Sequence, residues 1–154
     1  MWFDADGNQK KFDDIILAID KVSDKIDQIY VGSDSMVYTN HIIFVTAICL
    51  HSNENKIGNY FFDRNKVKRK KSSLKLRIFK EIEDSVSVAQ KLRVLYPNHS
   101  IEIHADVNSK ENTATHKFTK AIEGWMMGCG FNCAFKPKSW ASSAVADWHT
   151  KKIK

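Results

Sequence analysis

Apolar positions along this chain fall into two patterns, helical spacing and short β-rich runs. Over residues 12–22 they fall at Phe12, Ile15, Ile16, Ile19 and Val22, the spacing that turns one helix face toward a core. Asp13 and Asp14 near its start suit the positive end of a helix dipole. Helical spacing then gives way to β-rich runs. Residues 29–38, 41–51 and 58–63 are rich in Ile, Val, Tyr, Phe and Thr, which favour extended backbone on a pleated surface. Thr39-Asn40 and residues 53–56 supply polar turns between them. Helical spacing returns over residues 74–96, with Leu74, Ile78, Phe79, Ile82, Val86, Ala89 and Leu92 on one face. Ser72 and Ser73 can cap its start, and Pro97-Asn98 stops it. Residues 100–107 read as a fourth strand. Residues 113–127 read as a second long helix, ended by Gly128 and Gly130. A fifth strand follows over 131–137, then a last helix over 139–153, with Lys151, Lys152 and Lys154 toward its negative end.

After the N-terminal helix (about 10–23) the order is β-β-β-α-β-α-β-α. Three strands joined by short turns predict an antiparallel meander. Strands reached through helices should join the same sheet in parallel. The expected fold class is α/β: a five-stranded mixed sheet flanked by helices on both sides. No repeat, low-complexity tract or linker interrupts residues 1–154, so one domain is expected.

An apolar share of 43% argues against disorder, and 154 residues can bury a core without disulfides. The longest apolar run, residues 42–50, is too short to span a bilayer. Met1-Trp2-Phe3-Asp4-Ala5-Asp6 is acidic and lacks an export-type apolar region. Three cysteines, an odd number, then suggest free thiols in a reducing, cytoplasmic protein with no membrane role. Cys129 and Cys133 have no second pair to complete a zinc site. The net charge of +6 suits a polyanionic partner, although a merely basic soluble protein has the same balance.

Four acids change the picture. Asp34 and Asp106 interrupt segments that otherwise read as buried strands, where a charge is costly unless paired or metal-bound. Glu81 lies in the first long helix, beside Glu83 and Asp84. At about 100° per residue, Glu81 falls closer to the flank of the apolar face than Glu83 does. Asp147 lies in the last helix behind Ala144, Val145 and Ala146, small enough for a close approach to the sheet. Each acid also has a plain structural reading. Asp34 could end its strand in a turn, Asp106 could cap the loop toward Asn108, and Asp147 could be an exposed helix acid.

This order, with Val31-Gly32-Ser33-Asp34-Ser35, Leu76-Arg77 followed by Glu81 and Ser85, His104-Ala105-Asp106, Gly128-Cys129-Gly130-Phe131, Lys136-Pro137 and Trp140 through Asp147, resembles the ribonuclease H-like superfamily. Within it the chain looks most like the YkuK-type branch of predicted nucleases. Met36 and Trp148 depart from that pattern, and neither removes an acid. The resemblance implies a nuclease that hydrolyses phosphodiester bonds with two Mg²⁺ or Mn²⁺ ions held by Asp34, Glu81, Asp106 and Asp147. Two such ions, about 4 Å apart, can activate water and stabilise the leaving oxygen. RNA or an RNA–DNA hybrid is the default substrate, and DNA is the other nucleic-acid partner to test. A nucleic-acid-binding module with weak or absent catalysis, and a scaffold for protein interaction, are the rival readings.

Other residues could serve such a site. Ser33 and Ser35 flank Asp34 and could bond backbone or a substrate phosphate. The basic run over residues 66–71, including Lys68 and Arg69, could hold a phosphate backbone, as could Lys136 and Lys138. Trp140 is the best placed of Trp125, Trp140 and Trp148 to stack a base. His149 could shuttle protons, although residues two apart on a helix do not share a face with each other. His104 reads as a hydrogen-bonded core histidine.

Overall fold

The extended segments assemble into one seven-stranded mixed sheet. A computed structural model describes residues 1–52, 54, 58–71 and 73–152. A hairpin of β1 (Trp2–Asp4) and β2 (Gln9–Lys10) precedes α1 (Phe12–Asp20). The meander is β3 (Gln28–Val37), β4 (His41–His51) and β5 (Gly58–Lys68). Then come α2 (Leu74–Leu95), β6 (Ser100–Asn108), α3 (Thr119–Cys129) and β7 (Asn132–Lys136). A wide, π-type helical turn (Ala141–Ala146) runs into α4 (Asp147–Lys151). The strand order is β2-β1-β5-β4-β3-β6-β7, with β3, β4 and β5 antiparallel and β6 and β7 parallel to β3.

The meander and the parallel additions stand as expected; the strand count does not. The extra hairpin escapes periodicity because its strands hold three and two residues. Its turn is set by Asp4, whose carboxylate accepts from the backbone N–H groups of Asp6 and Asn8, and by Gly7 at φ 87°. Strand β5 also runs further than expected, so Lys66 and Lys68 are strand residues. A 3₁₀ turn (His116–Phe118) takes the place of the expected first turn of the second long helix. Gly130, at φ 75°, ends α3, while Gly128 lies inside it. Ser73 caps α2 by accepting from the Leu76 N–H. Residues 53, 55–57, 72, 153 and 154 lie outside the described residues, so the expected turn over 53–56, a Ser72 cap and the helix end at Ile153 belong there.

Strand β3 is central and buried on both faces. Its odd residues Ile29 and Val31 join Ile48, Ile82, Ala89, Leu92, Ile103 and Ile122 in the larger core, under α1, α2 and α3. Its even residues turn toward the last helix, over a smaller core that includes Val45, Ala47, Phe62, Ala141 and Ala146. A Cβ at Gly32 would meet Ser142 N at 2.5 Å and Ala141 C at 2.8 Å. The glycine therefore lets the last helix touch the sheet, at Ala141 and Ser142 rather than at Ala144, which is exposed.

Candidate active site

The site forms where two parallel strands part. The β3–β6 ladder ends at the pair Gly32↔His104. Asp34 and Asp106 each stand two residues beyond that last pair, on the face turned to the last helix. Burial pushes the Asp34 carboxyl up to about 7, and the negative charges of Asp106 and Asp147 and a hydrogen-bond contact with Asp106 push the same way. Thr150 Oγ1 lies 3.4 Å from Asp34 Oδ2 but 2.8 Å from Asp147 O. It has one proton, and the shorter contact takes it.

Glu81 arrives from α2 on the other face. Ser35 Oγ donates to Glu81 Oε1 at 2.5 Å, and Arg77 Nη1 donates to Ser35 Oγ at 3.3 Å. Burial pushes Glu81 up to about 8; the Ser35 bond and Arg77 oppose this, while Asp34 and Asp106 add to it. Glu83 is exposed, so the helix acid facing the sheet is Glu81. Arg77 is one turn before Glu81 on the same helix face, a signal the sequence carried.

Asp106 and Asp147 are less buried and each meets a lysine. Lys136 Nζ is 2.7 Å from Asp106 Oδ1. Close as it is, the ammonium is not angled as a hydrogen-bond donor, so that buried oxygen keeps a nearby charge but no donor aimed at it. Lys151 Nζ is 2.6 Å from Asp147 Oδ2, one helical turn away. Asp34 and Glu81 make no ion pair among the described residues.

The helix that carries Asp147 is fixed at its root. Buried His104 accepts from the Ala141 N–H through Nδ1, at 3.0 Å, and its Nε2 is 3.0 Å from Glu102 Oε1. That pattern requires the Nε2–H tautomer. Burial holds its pKa below the usual histidine value. His104 thus ties the last helix to β6, as a hydrogen-bonded interior histidine does.

The remaining expected residues are placed as follows. Ser33 faces α2, its hydroxyl 2.8 Å from Thr46 Oγ1 and 2.7 Å from Ser85 Oγ, and is closed to a phosphate. Ser35 is committed to Glu81 and Arg77. Arg69 Nη1 reaches the carbonyls of Tyr38 and Thr39, while Lys68 and Lys138 are exposed. Trp140 is 38% exposed and stands edge-on to Tyr30 and His104. His149 packs away from the acids. Its ring stacks on Phe62 at 3.6 Å and lies within 3.2 Å of the Tyr60 hydroxyl; burial and nearby Lys152 and Arg64 depress it to about 4. A proton shuttle near neutral pH needs a different setting.

Among the described residues, no three His, Cys, Asp or Glu side chains are gathered tightly enough to hold an ion as they stand. The donor set still fits a hard divalent cation. It is all carboxylate oxygen, and two of its members are pushed up by burial and, after that, by the negative charge of neighbouring acids, which a cation would offset. None of the helices among the described residues is long and apolar enough to cross a membrane.

A search of the curated proteins finds no match to this sequence. A solved structure, the RNase H1 from the halophilic archaeon Halobacterium salinarum NRC-1, is similar at TM-score 0.36 and 11% identity, over 74% of this chain and 89% of that one. The ribonuclease H-like family matches residues 10–151, nearly the whole chain, and the chain belongs to that family.

Proposed function

We propose that this protein is a divalent-cation-dependent nuclease that hydrolyses phosphodiester bonds, with RNA or an RNA–DNA hybrid as its preferred substrate. One observation carries the reading: two carboxyls from separate elements, Asp34 and Glu81, are buried beside further acids, and burial first, with the neighbouring negative charges pushing the same way, raises them to about 7 and about 8. Such perturbed acids gather where charge is to be used.

Asp34, Glu81, Asp106 and Asp147 are the residues that would hold Mg²⁺ or Mn²⁺. A pair of such ions supplies an activated water and stabilises the leaving oxygen. Asp34 and Asp106, on neighbouring strands, set the span of the site. Glu81, steadied by Ser35 and Arg77, orients the attacking water. Asp147 closes the site from a helix rooted by Gly32 and His104. Deprotonation of Asp34 and Glu81 accompanies cation binding, so affinity rises with pH through the range in which they titrate. Lys136 and Lys138 on one side, and Lys68, Arg69 and Arg77 on the other, supply positive charge for a phosphate backbone.

Purified protein incubated with labelled single-stranded RNA, duplex DNA and RNA–DNA hybrid, with and without Mn²⁺, tests this. Expected is Mn²⁺-dependent cleavage of an RNA-containing substrate, lost in Asp34→Asn and Asp106→Asn while the fold is kept. Cleavage that persists in both variants, or needs no cation, overturns it. The Lys136–Asp106 and Lys151–Asp147 pairs favour a second reading, a binding module whose acids are already neutralised. That reading expects salt-sensitive binding without turnover.

A further inference from the structure

A second cavity lies on the same face of the sheet, away from the acids. Its volume is about 300 Å³, within the range of small-ligand sites. The extra hairpin forms one wall through Phe3 and Asp6, β5 the floor through Phe62 and Arg64, and the last helix and its end the other wall through His149 and Lys152. The hairpin is thus more than an edge cover: without β1 the cavity has no outer wall.

Two chemistries meet there. The first is planar and apolar. Phe3 and Phe62 stack at 5.2 Å with an interplanar angle of 22°, and the His149 ring stacks on Phe62 at 15°. The second is positive. Arg64 and Lys152 both line the cavity against one carboxylate, Asp6, for a formal lining charge of +1 with His149 neutral (2 − 1). The Arg64 side chain makes no ion pair among the described residues. A planar apolar wall beside paired cations is the complement of a nucleotide: a base to lie along the rings and a phosphate to face the cations.

Position adds a third argument. Arg64 is opposite Val45 on β4, and Val45 is opposite Asp34 on β3. Arg64 and Asp34 therefore share one transverse row on one face of the sheet, two strand spacings or about 10 Å apart. The last helix lies between them, with Asp147 on the acid side and His149 on the cavity side.

We propose that this cavity is a nucleotide-binding site separate from the carboxylate centre, with the phosphate on Arg64 and Lys152 and the base against Phe3, which Phe62 backs. The phosphate can come from a free nucleotide or from a strand that runs past the acids. The proposed nuclease activity is used here only to favour a nucleotide over other planar anions.

The test uses the full chain in EDTA and reads binding, not cleavage, so its outcome is independent of whether the acids hold a metal. The probes are adenosine 5′-monophosphate, inorganic phosphate and a short single-stranded oligonucleotide, titrated by calorimetry or fluorescence anisotropy. Arg64→Gln and Lys152→Gln should each weaken binding about tenfold, as expected for a charged hydrogen bond, and Arg64→Lys should recover part of it. Phe3→Leu, which keeps an apolar residue in the hairpin, should weaken the nucleotide and the oligonucleotide but not phosphate. Arg64-sensitive binding of the mononucleotide identifies a free-nucleotide site; such binding of the oligonucleotide alone identifies a strand subsite. Binding of inorganic phosphate alone, binding indifferent to both cation variants, or no saturable binding of any probe overturns the proposal.

Discussion

Ser33 and Asp34 are consecutive residues of one strand, both almost wholly buried, and they differ in what surrounds them, neutral hydroxyls for one and like charges for the other. Ser33 points toward α2 and closes a hydroxyl cluster with Thr46 and Ser85, each contact under 3 Å. Asp34 points the other way, toward Asp106 and Asp147, with Thr150 Oγ1 3.4 Å from its Oδ2, while Glu81 approaches from the α2 side. One cluster is neutral and closed on itself; the other gathers buried negative charges that a cation would offset. A satisfied buried network rigidifies a fold, while a buried group of like charges destabilises it and persists where function needs it.

The strongest way to break this contrast is to neutralise the acids. Asp34→Asn and Asp106→Asn should each lower Mn²⁺-dependent cleavage by more than about a hundredfold, since even outer-shell partners of a metal site are worth 10–100-fold. Asp34→Asn should also stabilise the cation-free protein at pH 8, because a repelled buried charge is gone. A variant that cleaves normally, or that is destabilised in EDTA, would mean that Asp34 is structural like its neighbour.

pH sharpens the comparison next. The folded values of Asp34, about 7, and Glu81, about 8, lie above their ordinary values of 3.8 and 4.5. The folded protein therefore keeps protons that the unfolded chain has lost, and stability falls as pH rises through that range. His149, depressed from 6.5 to about 4, works in the opposite sense below pH 6.5. The window free of that opposition is pH 6.5 to 8, where the unfolding free energy from denaturant titration in EDTA should decline by on the order of 1–2 kcal/mol. Mg²⁺ or Mn²⁺ should restore the loss. A flat or rising profile across that window would falsify the electrostatic description of the site.

Much of this was legible because hydrophobic periodicity reports burial directly. Runs of β-branched and aromatic residues between polar turns located the meander, and the helical pattern located α2 together with the side on which Glu81 lies. What stayed hidden depended on contacts between distant residues. The β1–β2 hairpin is too short for a period and exists because Asp4 binds its own turn and Phe3 stacks on Phe62. Ser33 looks in sequence like a substrate ligand beside Asp34; only its register against Thr46, with Ser85 brought by α2, removes it. For His149 the rotation away from Asp147 was readable, since residues two apart do not share a helix face, and only its partner Phe62 was not. Gly32 did carry a signal: a glycine inside a buried strand marks a close backbone approach.

The hydroxyl cluster provides the control for the acids. Ser85→Ala should cost about 1–3 kcal/mol, because Ser33 Oγ loses a buried partner. Its effect should be confined to the denaturation midpoint, with Mn²⁺ affinity and cleavage per folded molecule retained. A Ser85→Ala protein of normal stability but impaired Mn²⁺ binding would merge the two clusters into one functional unit.

The smallest effect concerns Lys136. Its ammonium lies against Asp106 Oδ1, an oxygen a cation would also need, so lysine and cation compete for it. The pair is partly exposed, at 40% and 19% for the two side chains, so its worth is that of a surface ion pair, about 0.2–1 kcal/mol. Lys136→Gln should then tighten Mn²⁺ by no more than about fivefold, as read by calorimetry at low salt, and the gain should shrink as salt rises. Substrate affinity should move the other way if the same ammonium also faces the phosphate backbone. Tighter Mn²⁺ with weaker nucleic acid would assign Lys136 both roles. Unchanged Mn²⁺ affinity would show that the ammonium stands beside the cation's place without occupying it.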